Sequence, residues 1–157
     1  MNEKLLELSS VVHETIDTLE QTAGELQQAL DLDVPKLGRT NRSALIVAGL
    51  IDSYYTRLET GFLRISQHFE NNLLPDKWHR DLLEKMQLTI GGVRIAAVSK
   101  ENAGRLDELL RFRHFRRYYF QIDYDWRKLD FLCALLFEAQ PVVKRDLLAF
   151  DTFLSEI

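Results

Sequence analysis

Apolar residues three and four apart recur from one end of this chain to the other, and nowhere does a two-residue alternation persist beyond a few positions. That spacing keeps one face of a helix greasy and cannot keep one face of a strand so. Leu5, Leu8, Val12, Ile16, Leu19, Ala23, Leu26 and Leu30 predict a long amphipathic helix over residues 3–31, ended by Asp33, Pro35 and Gly38. A second helix starts near Thr40-Asn41, with Asn41 as its cap, and carries Ala48, Ile51, Tyr55, Leu58, Phe62, Ile65 and Phe69. Gly49 and Gly61 offer room for a neighbouring helix, and Asn71-Asn72 with Pro75 close the element.

Asp76 is read as the cap of a short third helix with Trp78, Leu82, Leu83 and Met86 facing inward, broken by Gly91-Gly92. Ser99 is read as the cap of a fourth, spanning about residues 100–121. Asp123 and Asp125 mark a turn into a fifth, where Trp126, Leu129, Leu132, Leu136 and Phe137 face inward. Pro141 either kinks this helix or opens a new segment, and the period continues through Val143, Leu147, Phe150 and Leu154. The expectation is an all-α chain, an antiparallel up-and-down bundle of four to five helices forming a single domain over residues 1–157.

Composition narrows the chemistry. A net charge of −4 argues against bulk, sequence-blind nucleic-acid binding, though it leaves room for a local basic groove. The single Cys133, set among leucines, cannot form an internal disulfide and reads as a small core residue. His13, His68, His79 and His114 show no metal-ligand spacing, and no phosphate loop, dinucleotide fingerprint or nucleophile elbow occurs, so no metal or cofactor is expected. His79, beside Trp78, reads as a packing or helix-surface residue. No apolar run approaches about 18 residues, and the Met-Asn-Glu-Lys start is unlike a signal peptide, so the expected location is the cytoplasm with no membrane contact.

The departure from an ordinary bundle lies at Leu109 to Phe120. Arg111, Arg113, His114, Arg116 and Arg117 fall within seven residues, threaded with Phe112, Phe115, Tyr118 and Tyr119. Leu106, Leu110, Arg113, Arg117 and Phe120 share one helix face, so a leucine stripe turns into arginine. Phe112, Phe115 and Tyr119 line roughly the opposite side, and a helix greasy on two sides expects two covers, one of which a second subunit could provide. Buried guanidinium groups need partners. One reading pairs Arg113 and Arg117 with internal carboxylates such as Glu59 or lets them reach the rim. The other has them line a groove for phosphate. A histidine set among arginines suits metal-free phosphodiester cleavage, imidazole moving the proton and guanidinium steadying the charge on phosphorus.

At these residues the sequence resembles the HepT-like family of small helical proteins. The landmarks are Tyr54 to Glu59, Leu74 to Leu83 leading into Met86, and above all Leu109 to Phe120. The resemblance implies a dimeric toxin acting as a metal-independent ribonuclease, paired with a minimal nucleotidyltransferase antitoxin that adds AMP to a tyrosine. It also implies an Arg-x4-His-x-Tyr pattern. Register places its arginine on Arg113, its histidine slot on Tyr118 and its tyrosine slot on Phe120, so two of the three signature positions depart. His114, about 40° from Tyr118 around the helix and one turn earlier, is placed to take over the proton chemistry.

Two functions follow as expectations. In the first, Arg113, His114 and Tyr118 are catalytic and Arg117, Arg116 and Tyr119 bind RNA phosphate or stack bases, in a toxin–antitoxin ribonuclease whose activity the altered motif impairs. In the second, the protein is a non-enzymatic subunit that docks the nucleotidyltransferase through the basic aromatic helix. A third, plainer possibility is a bundle whose arginines are structural.

Overall fold

Helix direction can be read from which residues meet across the bundle. The computed structural model describes residues 2–70, 73, 76–118 and 123–157. Its elements are α1 (Glu3–Gln28), a π-helical turn (Ala29–Asp33), α2 (Val34–Leu37), α3 (Asn41–Phe69), α4 (Trp78–Met86), α5 (Lys100–Tyr118) and α6 (Trp126–Glu156). Glu7 meets Arg64 and Thr15 meets Gly61, so α1 and α3 run antiparallel. Ser9 meets Asp151 and Glu20 meets Lys144, so α1 and α6 do too. Glu59 meets Arg113 while Asp52 meets Arg116, and Asn102 meets Ala139 while Glu108 meets Lys128. The four long helices therefore alternate up and down, with α3 and α6 parallel across the diagonal, where Tyr54 donates to Gln140 and Phe69 packs on Phe150. Among the described residues the chain is all-helical apart from loops and one isolated bridge, Ile90 to Arg94.

The stripes read from the sequence supply the core. Leu19, Leu26, Ala48, Ile51, Tyr55, Leu58, Leu106, Leu109, Leu132, Leu136, Phe150 and Leu154 are all essentially sealed from solvent. At Gly61 a Cβ would lie 2.7 Å from Thr15 Oγ1, so α1 and α3 touch backbone to side chain there. At Gly49 the nearest atom would be Arg116 Nη2 at 3.7 Å, an ordinary contact that requires no glycine.

Several helix ends differ in detail from what the sequence predicts. Thr40, not Asn41, caps α3 in a capping box with Ser43, and Asn41 instead donates to Asp123 Oδ1 at 2.7 Å. Lys77 stands at the cap position of α4, and Asp76 makes no capping bond. Ser99 turns both its backbone N–H and its hydroxyl onto Asp146 Oδ2, at 2.9 and 2.8 Å. α1 does not stop at Asp33. It widens into the π turn, where Val34 N–H reaches Ala29 O, and continues to Gly38 at φ 77°. A wider turn suits the approach to Pro35, which has no N–H to give. α6 runs through Pro141 as one helix. The closing signals at Asn71, Asn72 and Pro75 lie outside the described residues.

The loop between α4 and α5 is tied down by an arginine that the periodicity did not flag. Arg94, 2% exposed, pairs with Glu70 and donates to the carbonyls of Leu88, Ile95 and Lys85. Ala97 and Val98 N–H groups then close the C-terminus of α4 on Met86 O. This fixes α4 against the flank of α3 and α5, where the chemistry-bearing side chains gather.

Candidate functional site: a basic groove between α4 and α5

The arginine-rich end of α5 does not present one surface. It divides its side chains among the core and three separate hollows.

Arg113 is buried, 3% exposed, and its Nη1 donates to Glu59 Oε1 at 2.8 Å, with Glu59 itself 5% exposed. The guanidinium also lies over the Tyr55 ring, 5.4 Å from its centroid. The reading that pairs this arginine with Glu59 inside the monomer is the one the fold adopts. The reason is positional: Glu59 sits one turn after Tyr55 on the inner face of α3, so an acid and a base interrupt facing apolar stripes at the same level.

Arg116 and Arg117 lie on the α3 side. Arg116 Nη1 meets Asp52 Oδ2 at 2.7 Å, and Arg117 Nη2 stands 3.7 Å from Asp52 Oδ1 and 3.4 Å from Thr56 Oγ1. Burial acts to lower the Arg116 pKa, but hydrogen bonding and attraction from Asp52, with help from Tyr124, hold it above its ordinary value. With Gly49, Ser53 and Arg57 these residues line an open hollow of about 390 Å³. The expected common face of Arg113 and Arg117 therefore splits: Arg113 goes inward and Arg117 outward.

His114 and Tyr118 point the other way. Their rings stack at 4.5 Å between centroids, and both line a groove of about 440 Å³ between α4 and α5 with Asp76, Lys77, His79, Arg80, Leu110 and Arg111. Arg80 and Arg111 share one carboxylate, Asp107, at 2.9 and 2.8 Å. Three cations thus face two acids, Asp76 and Asp107, and an anion finds a net positive wall. A larger hollow of about 500 Å³ beyond Phe112 and Phe115 sets Glu108, Asp123 and Asp125 against Arg111 and Lys128, so its lining is net negative and suits phosphate less well.

His79 joins the two regions. Its Nδ1 lies 2.9 Å from Glu59 Oε2 and 2.7 Å from Arg113 Nη2, its ring lies against Trp78 with centroids 3.7 Å apart, and it lines the groove. Nδ1 carries at most one hydrogen, so it serves one partner at a time: protonated, it donates to Glu59; unprotonated, it accepts from Arg113. From the sequence alone His79 reads as a packing or helix-surface residue. The missed signal was Asp52 and Glu59, seven residues apart on an otherwise apolar face of α3, which marks where polar partners must converge.

Of the six residues singled out from the sequence, His114 and Tyr118 share a groove, Arg116 and Arg117 share a hollow, and Arg113 is interior. Tyr119 lies outside the described residues, as does Phe120 in the tyrosine slot. Among the described residues no three His, Cys, Asp or Glu side chains cluster as a metal site, and no helix is long and apolar enough to cross a membrane.

Comparison with known proteins adds one match. No curated protein and no solved structure matches the chain. A family model, described as HepT-like protein, matches residues 46–154, which takes in α3 almost whole, α4, the basic helix α5 and nearly all of α6. The chain belongs to the HepT-like family.

Proposed function

We propose that this protein is the toxin-type member of a toxin–antitoxin pair, a metal-independent endoribonuclease whose altered motif slows it. The observation that carries this reading is that two imidazoles, His79 and His114, line one open groove together with Lys77, Arg80 and Arg111. Cleaving an RNA phosphodiester without a metal needs a group to take a proton, a group to give one, and cations for the phosphate. That groove supplies all three. Tyr118, 67% exposed, is available to stack on an unpaired base or to accept AMP from a minimal nucleotidyltransferase, and Tyr119 is a second candidate acceptor. Arg116 and Arg117 extend a cationic track on the far side of α5 for the RNA backbone, and a homodimer is the proposed assembly. The test is cleavage of RNA by the purified protein in excess chelator, with growth arrest on expression relieved by co-expression of a minimal nucleotidyltransferase. An inert, folded protein sinks the enzymatic reading.

A second reading has its own support. Tyr118 occupies the histidine slot five residues after Arg113, and Arg113 is neutralised by Glu59, so the proton-transfer group that the family pattern implies is replaced and its arginine is engaged inside the fold. In that case the protein is a non-cleaving subunit that docks the nucleotidyltransferase. A stable complex with that partner and no RNA cleavage would favour it.

A further inference from the structure

We infer that His79, rather than the residue in the family's histidine slot, takes the proton from the attacking hydroxyl of RNA, that His114 returns a proton to the leaving oxygen, and that Glu59 and Arg113 position His79. The inference rests on the ribonucleolytic reading and assigns its chemistry to particular atoms.

The geometry distinguishes the two histidines. His79 Nδ1 is held from behind, 2.9 Å from one oxygen of a buried carboxylate and 2.7 Å from a buried guanidinium. Its other nitrogen, Nε2, has no protein partner among the described residues, and the side chain is 40% exposed where it lines the groove. A ring fixed through one nitrogen and free at the other is prepared to accept a proton at the free one when the rear nitrogen carries the hydrogen. Glu59 calls for that tautomer and Arg113 for the opposite one, so the proton-accepting state is the one in which Nδ1–H donates to Glu59 and Arg113 turns to the carboxylate alone, which leaves the Nε2 lone pair available. The carboxylate is already paired with Arg113, so it orients the ring without competing for the proton. Packing against Trp78 removes the remaining freedom of rotation.

His114 has no such backing. It is exposed on α5, stacked on Tyr118, and surrounded by cations on the same groove. An exposed imidazole beside the phosphate site, with no protein hydrogen bond to hold it among the described residues, is open to a leaving oxygen as the bond breaks.

The step balances as follows. The 2′-hydroxyl gives its proton to His79 Nε2 as its oxygen bonds to phosphorus. The phosphorus–O5′ bond breaks, its electron pair stays on O5′, and protonated His114 gives O5′ a proton. The products are a 2′,3′-cyclic phosphate and a 5′-hydroxyl end. His79 then loses a proton to water and His114 regains one. Lys77 and Arg111 meet the added negative charge on the phosphoryl oxygens.

The test uses the full-length protein, in excess chelator, on a short single-stranded oligoribonucleotide. The wild type is expected to leave a 2′,3′-cyclic phosphate and to lose activity on both the acid and the alkaline side. His79→Gln and His114→Gln should each slow cleavage by at least about 100-fold, while His13→Gln, on α1 against Asp151, should leave it unchanged. A substrate with sulfur in place of the bridging O5′ leaves without a proton, so it should restore His114→Gln and not His79→Gln. Glu59→Gln should keep the substrate KM but lower kcat and displace the acid side of the pH profile, which a purely structural loss would not do. Should that variant fail to fold, Arg113→Lys reads the same positioning through the same profile. Wild-type cleavage undiminished in His79→Gln overturns the assignment and leaves the ribonuclease standing. Equal restoration of both variants by the sulfur substrate overturns the division of roles. No cleavage by folded wild type removes both.

Discussion

Arg113 Nη1 and Glu59 Oε1 lie 2.8 Å apart with both side chains sealed inside one subunit. Breaking such a pair from one side leaves a charge stranded in a poor solvent, whereas replacing both partners removes the need for it. Glu59→Leu alone should destabilise the fold by about 3–5 kcal/mol, and Glu59→Leu with Arg113→Met should recover most of that loss. Urea unfolding of the single and double variants checks it. A double variant as weak as the single one would mean that the pair holds shape in a way apolar side chains cannot copy.

This pair also shows how far the sequence could be read. The apolar period at three and four revealed the four long helices and their antiparallel order, because burying a stripe is what holds such helices together. It revealed too that Arg113 sat where a leucine belonged, and that Glu59 could answer it. It left open which of Arg113 and Arg117 goes inward and which reaches the rim, because the leucine stripe alone does not say where the apolar cover ends; in the structure Arg117, 51% exposed, is the one at the rim. His79 was passed over since its role depends on α4 lying beside α3, and that placement comes from Arg94 gathering Glu70 and three carbonyls of the loop. A long-range clasp of that kind leaves no periodic trace.

Two glycines in long helices should respond oppositely to alanine. Gly24 has open space where a Cβ would go, so Gly24→Ala gains helix propensity and should stabilise by about 0.5–1 kcal/mol. Gly61→Ala would bring a methyl within 2.7 Å of Thr15 Oγ1 and 3.3 Å of its Cβ, so α1 must move. A cost of about 1–3 kcal/mol is expected, and thermal unfolding should show the two shifts in opposite directions.

Tyr55 gives a test of polar burial. Its hydroxyl is sealed and finds no hydrogen-bond partner among the described residues, while its neighbour Tyr54 donates to Gln140. Burial pushes both phenols far above their ordinary range. Tyr55→Phe removes a group that gains nothing from the interior, and should be neutral or stabilising by about 1 kcal/mol. Tyr54→Phe should cost about as much, since it leaves Gln140 unanswered. Equal losses from both would show that Tyr55 has a partner after all.

Cys133 should be inert in the native protein. Burial, aided by the Asp130 carboxylate and opposed by Arg39, pushes its thiol up to about 12. An unfolded thiol titrates near about 8.5. The folded pKa is raised, so the thiol's contribution is complete below about 8.5 and is lost as pH climbs towards 12, by about 1.4 kcal/mol per pH unit. Tyr54 and Tyr55 act in the same direction at higher pH. Iodoacetamide at neutral pH should label Cys133 only after unfolding, and Cys133→Ala should flatten the early part of the alkaline decline. Rapid labelling of the folded protein would contradict a sealed thiol.

The cationic wall of the groove has a measurable signature in salt. Arg111 shares Asp107 with Arg80 and remains 62% exposed, so it is free to meet a phosphate without unpicking the core. Each phosphate contact to a single strand releases counterions and contributes about 0.7 to the slope of log affinity against log salt. Arg111→Gln should therefore weaken binding of single-stranded RNA, lower that slope by about 0.7, and leave thermal stability nearly unchanged, because an exposed pair on α5 adds little to the fold. Arg113→Met should do the reverse: little change in the salt slope, since its charge is answered by Glu59, and a clear change in stability. Fluorescence anisotropy with a labelled oligoribonucleotide across a salt series separates the two. If Arg113→Met lowered the slope and Arg111→Gln did not, RNA would have to enter from the side of α3, and the groove beside α4 would lose its claim.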